Sequence, residues 1–466
     1  MINLFLYMVT NKIKFLDNKT NYFLSIFLLA YTIFISHYFY SYIDWSGDYS
    51  LYIMQAKALS NNSVNILLEK MQISLGLSPN SNPYTPSHYP WGFPTILALT
   101  SFLHKWNLFF IKLMNPIAVL LIALFFIKIL RKNNNKNFLI PLLACILPNN
   151  LLFYSNLQPS ILSSLFIILS FYYFDDKKEN KAVLFFVTAC LIRTNSIFFF
   201  IYFILNSKFK ENLSFIFKLS LSFLSLFSFF RIIFGISIFG NYEVTPIFQQ
   251  SQNLFEFTTF YNSSVDFLIK TGELIFFNSY KFSTYLGFVI FIFLIFLSFK
   301  KLDYFTILFF ALATFIVNYF LYPLDIKRIL TPIIFVSLFM ISKNKINIYT
   351  NVCLSVFIIF NLFILFPSIK DIDRSDSISS QSFQNISEII YDKYSEYPIA
   401  FHKPRILMMK YDVISYKINN ENFTDLKTNS IILCDLNFNN CPDLKIYNSV
   451  KLLEKDDNFE LLQIGD

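Results

Sequence analysis

Charge is scarce in this 466-residue chain: Asp, Glu, Lys and Arg together make up only 15% of it, and glycine occurs just 8 times. Soluble globular proteins carry about 25% charged residues. The low charge, set beside a hydrophobic share of 55% and a mean hydropathy of +0.50, excludes a cytosolic enzyme, a disordered chain and a nucleic-acid binder. There is no Gly-x-Gly-x-x-Gly turn and no P-loop with which to cradle a nucleotide. The 4 histidines (His37, His88, His104 and His402) are isolated, and no Cys-x-x-Cys or His-x-x-x-His spacing occurs, so neither a metal site nor a cofactor is read from the sequence. The 5 cysteines do not make a disulfide-stapled secreted domain. Cys145, Cys190 and Cys353 fall in apolar runs as small core residues, whereas Cys434 and Cys441 share the tail and pair only if that tail meets an oxidising compartment, a point left open.

What the chain has in quantity is long apolar runs, with 61 Phe and 28 Tyr. About 20 apolar residues cross a bilayer core, and short basic loops stay in the cytoplasm. On that basis the spans are 22–42, 107–130, 138–154, 160–174, 214–238, 283–299, 304–321, 328–342 and 348–366, and the run 182–206 is read as two short helices turning at Arg193–Ser196, which gives about eleven membrane segments. The piece Trp91–Leu103 is too short to span, since 13 residues reach about 20 Å, and is expected to lie in the outer interface. Lys and Arg then number 17 in the inner loops and 7 in the outer ones, which sets the N-terminus inside and the C-terminus outside. Tyr22–Tyr42 is too long for a cleaved signal and reads as an uncleaved first span.

The charge divides the chain in two. Residues 1–366 carry 27 Lys and Arg against 14 Asp and Glu, whereas residues 367–466 carry 11 against 16. The expected fold is therefore an all-α polytopic membrane domain over 1–366, with a large first outer loop at 43–106, followed by a small extracytoplasmic α/β domain at 367–466. In that tail YPIAFH (397–402), DVISYKI (412–418), SIILCDL (430–436) and NFELLQI (458–464) have strand character, and SFQNISEIIYDKYS (382–395) that of a helix.

The first outer loop holds the best candidates for chemistry. It begins DWSGDYSLYIMQAKAL (44–59), which sets Asp44 and Asp48 just past the first span. From Tyr49 onward Leu51, Met54, Ala58 and Leu59 share one face, the pattern of an interfacial helix. The two carboxylates either cap that helix or stand where a lipid phosphate meets a water-borne substrate. The loop ends NPYTPSHYPWGFP, a Pro-rich approach to the membrane that carries His88 and Tyr89. Arg193 lies at the turn in LIRTNS, and Lys327 and Arg328 at the outer end of the span 328–342. Charge near hydrocarbon is costly, so these cations either snorkel or hold an anion.

The order of these features resembles the GT-C membrane glycosyltransferases that use polyprenyl-phosphate sugars, among them bacterial aminoarabinose and lipopolysaccharide-core galacturonosyl transferases and the protein O-mannosyltransferases. GDYSLYIMQAKAL is similar to that family's Asp-x-x-x-Tyr helix start, here Asp48 and Tyr52; HYPWGFPTILAL to its Pro-rich stretch, with His88 where many relatives place Lys; LIRTNSIFFF and KRILTPIIF to its Arg-bearing turn and late helix; and KPRILMMKYDVISY with FELLQI to its outer tails. The resemblance implies an inverting transferase of the bacterial inner membrane. Such an enzyme moves a monosaccharide from a polyprenyl-phosphate donor to an envelope glycan, glycolipid or protein acceptor. Asp48 (or Asp44) would be the base, and Tyr52, His88, Tyr89, Arg193, Lys327 and Arg328 would bind substrate. The alternatives are a lipid-linked oligosaccharide flippase or transporter, and a non-enzymatic envelope assembly or sensor protein. The nearly charge-free spans weigh against a transport path through the midplane.

Overall fold

The computed structural model describes residues 26–31, 33–34, 47–77, 89–133, 139–146, 157–206, 209–234, 326–343, 381–418, 430–436 and 449–465, with 265, 312, 354, 355 and 358 singly. Apart from residues 312, 354, 355 and 358, the runs 283–299, 304–321 and 348–366 lie outside these residues. The described chain is mostly helical and carries one small C-terminal sheet. Residues 26–31 and 33–34, inside the first expected span, are helical. Next come α1 (Gly47–Ser60) and α2 (Val64–Leu77), then α3 (Gly92–Leu99) and α4 (Ser101–His104). The short apolar piece Trp91–Leu103 is thus a helix broken at Thr100, where the Oγ1 turns back onto the Ile96 carbonyl at 2.8 Å.

Helices α5 (Leu108–Lys112) and α6 (Met114–Lys132) make one apolar rod, opened by Asn107, whose side chain accepts from the Phe109 amide at 2.9 Å. α7 (Leu139–Ile146) follows, then α8 (Pro159–Asp175), whose first residue is a proline already set at a helical φ. Among the described residues two helices are long and apolar enough to cross a membrane, Leu108–Lys132 and Leu213–Phe234. The second belongs to α11 (Phe209–Phe234).

The run 182–206 does not form one helix. α9 (Glu179–Ile192) stops at Arg193, which is extended at φ −143°, and a 3-10 turn (Thr194–Phe200) leads into α10 (Ile201–Asn206). Direction reverses there. Arg193 bonds Ser160 in the first turn of α8, and Tyr202 bonds Asp175 at the other end of the same helix. The return limb packs on α9 through aromatic rings, with Phe203 5.0 Å from Phe186 and 4.4 Å from Phe215 of α11. α12 (Ile326–Lys343) completes the bundle against α6 and α8, its Ile333–Ile341 stretch buried.

In the tail, α13 (Gln381–Tyr394) precedes β1 (Ile399–Phe401), α14 (Pro404–Tyr411), β2 (Ser415–Lys417), β3 (Ile431–Asp435), β4 (Val450–Lys455) and β5 (Phe459–Ile464). The sheet order is β2-β1-β3-β5-β4, with β1 parallel to β2 and β3, and β5 antiparallel to β3 and β4. α13 covers one face, its Phe383 stacked on Phe401 at 5.8 Å and tilted on Phe459 at 5.5 Å. Two elements escaped the sequence reading. β4 (VKLLEK) is a half-exposed edge strand whose lysines and glutamate mask its strand pattern, as charged edges do. α14 (PRILMMKY) is a two-turn helix sandwiched by other elements. Cys434, fully buried in β3, is disulfide-bonded; Cys441 lies outside the described residues. Cys145 and Cys190 are free and buried.

Gly92 is where α3 meets the end of α9: a Cβ there would sit 2.3 Å from the Leu191 carbonyl carbon and 2.7 Å from the Ile192 amide nitrogen. Backbone cannot yield as a side-chain tip can, so Gly92→Ala should cost about 1–3 kcal/mol, the usual penalty for overpacking. Gly76→Ala in α2, with nothing within 4 Å of the added Cβ, should be neutral or stabilise by up to about 1 kcal/mol. Thermal melts of the purified variants check both. A second prediction concerns His402, half-buried behind the Phe401 ring, where burial first, and Lys403 and Lys417 next, push the imidazole down to about 4. Its folded value lies below its unfolded one, so its contribution is complete above pH 6.5 and is lost as pH falls towards 4. The loss should reach at most about 3 kcal/mol. Melting curves across that range should slope in the wild type and flatten in His402→Leu.

Candidate functional site

The bundle has two chemically distinct ends. At one, the C-terminal turns of α6, α8 and α12 meet. Lys132 pairs with Asp176, Lys343 with Asp175 at 2.8 Å, Tyr202 donates to Asp175 at 2.7 Å, and the Asn133 amide reaches the Ser342 and Lys343 carbonyls at 3.3 Å. Partial burial alone would raise the Asp176 carboxyl, but Lys132 and Lys178 outweigh it and hold it below the usual carboxylate value.

The other end carries Arg193. The Arg193 guanidinium donates to the Ser160 hydroxyl at 2.8 Å, and Ser163 and Ser196 share a hydrogen bond of 2.7 Å one turn deeper. Ser160, Ser163, Ser164, Ser196 and Gln158 are all buried beside it, forming a polar socket in an otherwise apolar wall. Arg193 follows Leu191 and Ile192, whose backbone abuts Gly92. The next residue, Phe93, stands edge-on to Tyr52 at 5.2 Å, and Tyr52 is 5.0 Å from the Tyr89 ring. Asp48 lies one helical turn before Tyr52 on α1, and residues four apart share a helix face. α12 runs alongside α8 in the same direction, since their last turns are joined by the Lys343–Asp175 pair; its first turn, with Lys327 and Arg328, therefore lies at the Arg193 end.

Two expectations about α1 need correction. Its Leu51–Met54–Ala58–Leu59 face was to lie on the membrane interface. Instead the helix is enclosed: every residue from Tyr49 to Ala58 is buried except Lys57, because α3 covers one side and the C-terminal unit another. And Asp48 is the second residue of the helix rather than the residue before it, so it does not hold the position of an N-cap. Acid in a first turn is still favoured by the helix dipole. Asp44 and His88 lie outside the described residues.

The contacts with the tail are specific. Lys57 donates to the Met409 carbonyl at 3.4 Å, Lys70 pairs with Asp412 at 2.6 Å, and Ser74 donates to the Ser415 carbonyl. Two cations thus face the C-terminal end of α14, the negative end of its dipole. Burial lowers the Lys57 ammonium, and Asp412 partly restores it. Sequence reasoning also missed Gln55. Its buried side-chain amide makes a reciprocal pair with the backbone of Tyr89, donating to the carbonyl and accepting from the amide at 3.0 Å each. A lone Gln within an apolar helix was the available signal. Among the described residues no group of three or more His, Cys, Asp or Glu could hold a metal ion. No protein-family model matches the chain, and no curated protein matches it.

Gln55→Leu keeps the volume but strands a buried donor and acceptor, each of which costs about 1–3 kcal/mol when left unmade. Hydrogen exchange at the Tyr89 amide should accelerate accordingly. Exchange at the wild-type rate would show that Gln55 does not hold that segment.

Proposed function

We propose that this chain is a multi-pass membrane glycosyltransferase. It would take a monosaccharide from a polyprenyl-phosphate donor and pass it, with inversion, to a hydroxyl of an envelope glycan, glycolipid or protein at the outer face of a bacterial inner membrane. One observation carries the proposal: the Asp48 turn, Tyr52, Tyr89, Arg193 with its serine socket, and the Lys327–Arg328 turn converge on one end of the bundle. They come from five separate stretches of sequence. A helix turn bearing an acid, and helix ends bearing cations, on the same end of an apolar bundle suit an acceptor hydroxyl and a lipid phosphate.

In this mechanism Asp48 removes the acceptor proton as the hydroxyl oxygen attacks the anomeric carbon. The bond from that carbon to the phosphate oxygen breaks, and the polyprenyl phosphate leaves with both electrons. Arg193, Arg328 and Lys327 meet the charge growing on the leaving group, where fixed donors give the most stabilisation. Tyr89, half-buried, offers a ring for the sugar, and Tyr52 packs behind it.

A common side for the first outer loop and the tail is supported by a parity condition. The first outer loop and the tail touch, so an even number of crossings separates them. The spans assigned from the sequence make an even set only if 182–206 turns back, as it does at Arg193. The eleven-segment topology with the C-terminus outside meets that condition.

The decisive test is transfer of radiolabelled sugar from polyprenyl phosphate by membranes carrying Asp48→Asn. Asn keeps the shape and the hydrogen-bond acceptor, so a structural role would leave activity near normal. Loss of the base should lower the rate by about 10²–10⁴-fold. Arg193→Ala should mainly weaken donor use, since a charge-assisted contact contributes roughly 1.5–3 kcal/mol. Near wild-type transfer by Asp48→Asn would remove that residue from the mechanism.

A further inference from the structure

The loop DDKKENK (175–181) joins α8 to α9 at the end of the bundle opposite Arg193. Together with α11 it walls an open depression of about 390 Å³ lined by Lys177, Lys178, Glu179, Asn180, Lys181 and Lys218. Four ammonium groups face it against one carboxylate. Glu179 is occupied by Lys218, and Asp176 is shared by Lys132 and Lys178. Among the described residues no carboxylate pairs with Lys177 or Lys181, both of which are exposed.

The depth of this depression along the bundle can be read from its aromatic neighbours. The Lys178 and Lys181 ammoniums stand over the Tyr173 ring at 5.9 and 5.4 Å, and those of Lys128 and Lys132 over Tyr172 at 4.8 and 5.4 Å. Beside the tyrosines, in the last turn of α8, Phe174 packs ring on ring with Phe203 and Phe215, which also pack on each other. Amphipathic rings with cations reaching past them on an apolar base are the pattern of a membrane–water boundary. The depression therefore opens at headgroup level, with an excess of positive charge that no carboxylate among the described residues neutralises.

We propose that this depression binds a phosphate monoanion, and that its source is the headgroup of an anionic phospholipid in the cytoplasmic leaflet. Lys177 and Lys181 supply the charge, Lys178 and Lys218 flank it, and the Asn180 amide can donate to a phosphate oxygen. The inference rests on the transmembrane reading given above and is separate from the catalytic proposal, because the depression lies at the far end of the bundle.

Native mass spectrometry of the full chain, purified in detergent and supplied with phosphatidylglycerol or phosphatidylcholine, tests it. The wild type should retain phosphatidylglycerol in preference to phosphatidylcholine. The double variant Lys177→Gln, Lys181→Gln should lose that retention by roughly tenfold or more, as expected for two lysines at a charged surface. Lys451→Gln, on the exposed edge strand β4, should retain it in full. Both positions are exposed, so a melting curve matching the wild type is expected for the double variant. A competition arm with millimolar glycerol 3-phosphate separates the sources: persistence of the lipid assigns the site to the membrane, and displacement assigns it to a soluble phosphate ester. Equal retention by wild type and double variant, or equal retention of the two lipids, overturns the proposal. Release of the chain from membranes by alkaline carbonate would instead overturn the transmembrane reading, an outcome that does not involve these lysines.

Discussion

Helix α1 has almost no surface of its own, and the arrangement at the Arg193 end of the bundle depends on that enclosure. Tyr49 to Ala58 are buried except for Lys57, with α3 on one side, α2 following directly and α14 of the tail on another. A helix held on several sides cannot roll, so the residues it presents keep a fixed relation to Tyr89, Phe93 and, through Gly92, to Arg193. The Gln55 pair with the Tyr89 backbone adds direction to what apolar packing alone would leave approximate. Packing supplies most of the free energy, and the hydrogen bonds decide which of several apolar arrangements is adopted.

The same enclosure makes the tail more than an appendage. One apolar core runs from Leu28 through the bundle to Leu461 of β5. Lys57 and Lys70 meet the end of α14 from the other side. The Lys70–Asp412 pair is largely exposed and contributes little by itself, as surface ion pairs do. Its value lies in register, because it sets where along α2 the tail docks. A unit that looks independent by charge is mechanically joined to the loop that carries the candidate base.

The two ends of the bundle differ in how they handle charge. The Lys343 end neutralises most of it locally, through Asp175, Asp176 and Glu179, and leaves a lysine surplus around the 175–181 loop. At the Arg193 end the guanidinium donates to the buried Ser160 hydroxyl at 2.8 Å.

Much of this was legible in the sequence for a plain reason: apolar runs and β-strand alternation are both properties of local composition. The apolar runs, the break at Arg193, the helix at 382–395 and four of the five strands follow from that. β4 was not legible, because an edge strand takes its identity from its partner β5 and not from its own side chains. Nor was α14, or the role of Gln55, whose partner lies 34 residues away in the chain. The sequence alone set Asp48, Arg193 and Arg328 at the ends of helical segments, since charged groups are driven there by the cost of burying them. Only the tertiary structure decided that Tyr52, Tyr89 and Phe93 pack together next to the Gly92–Leu191 contact that adjoins Arg193. Which helix ends meet depends on how α8, α9 and α12 pack and on a reversal whose direction no local pattern encodes.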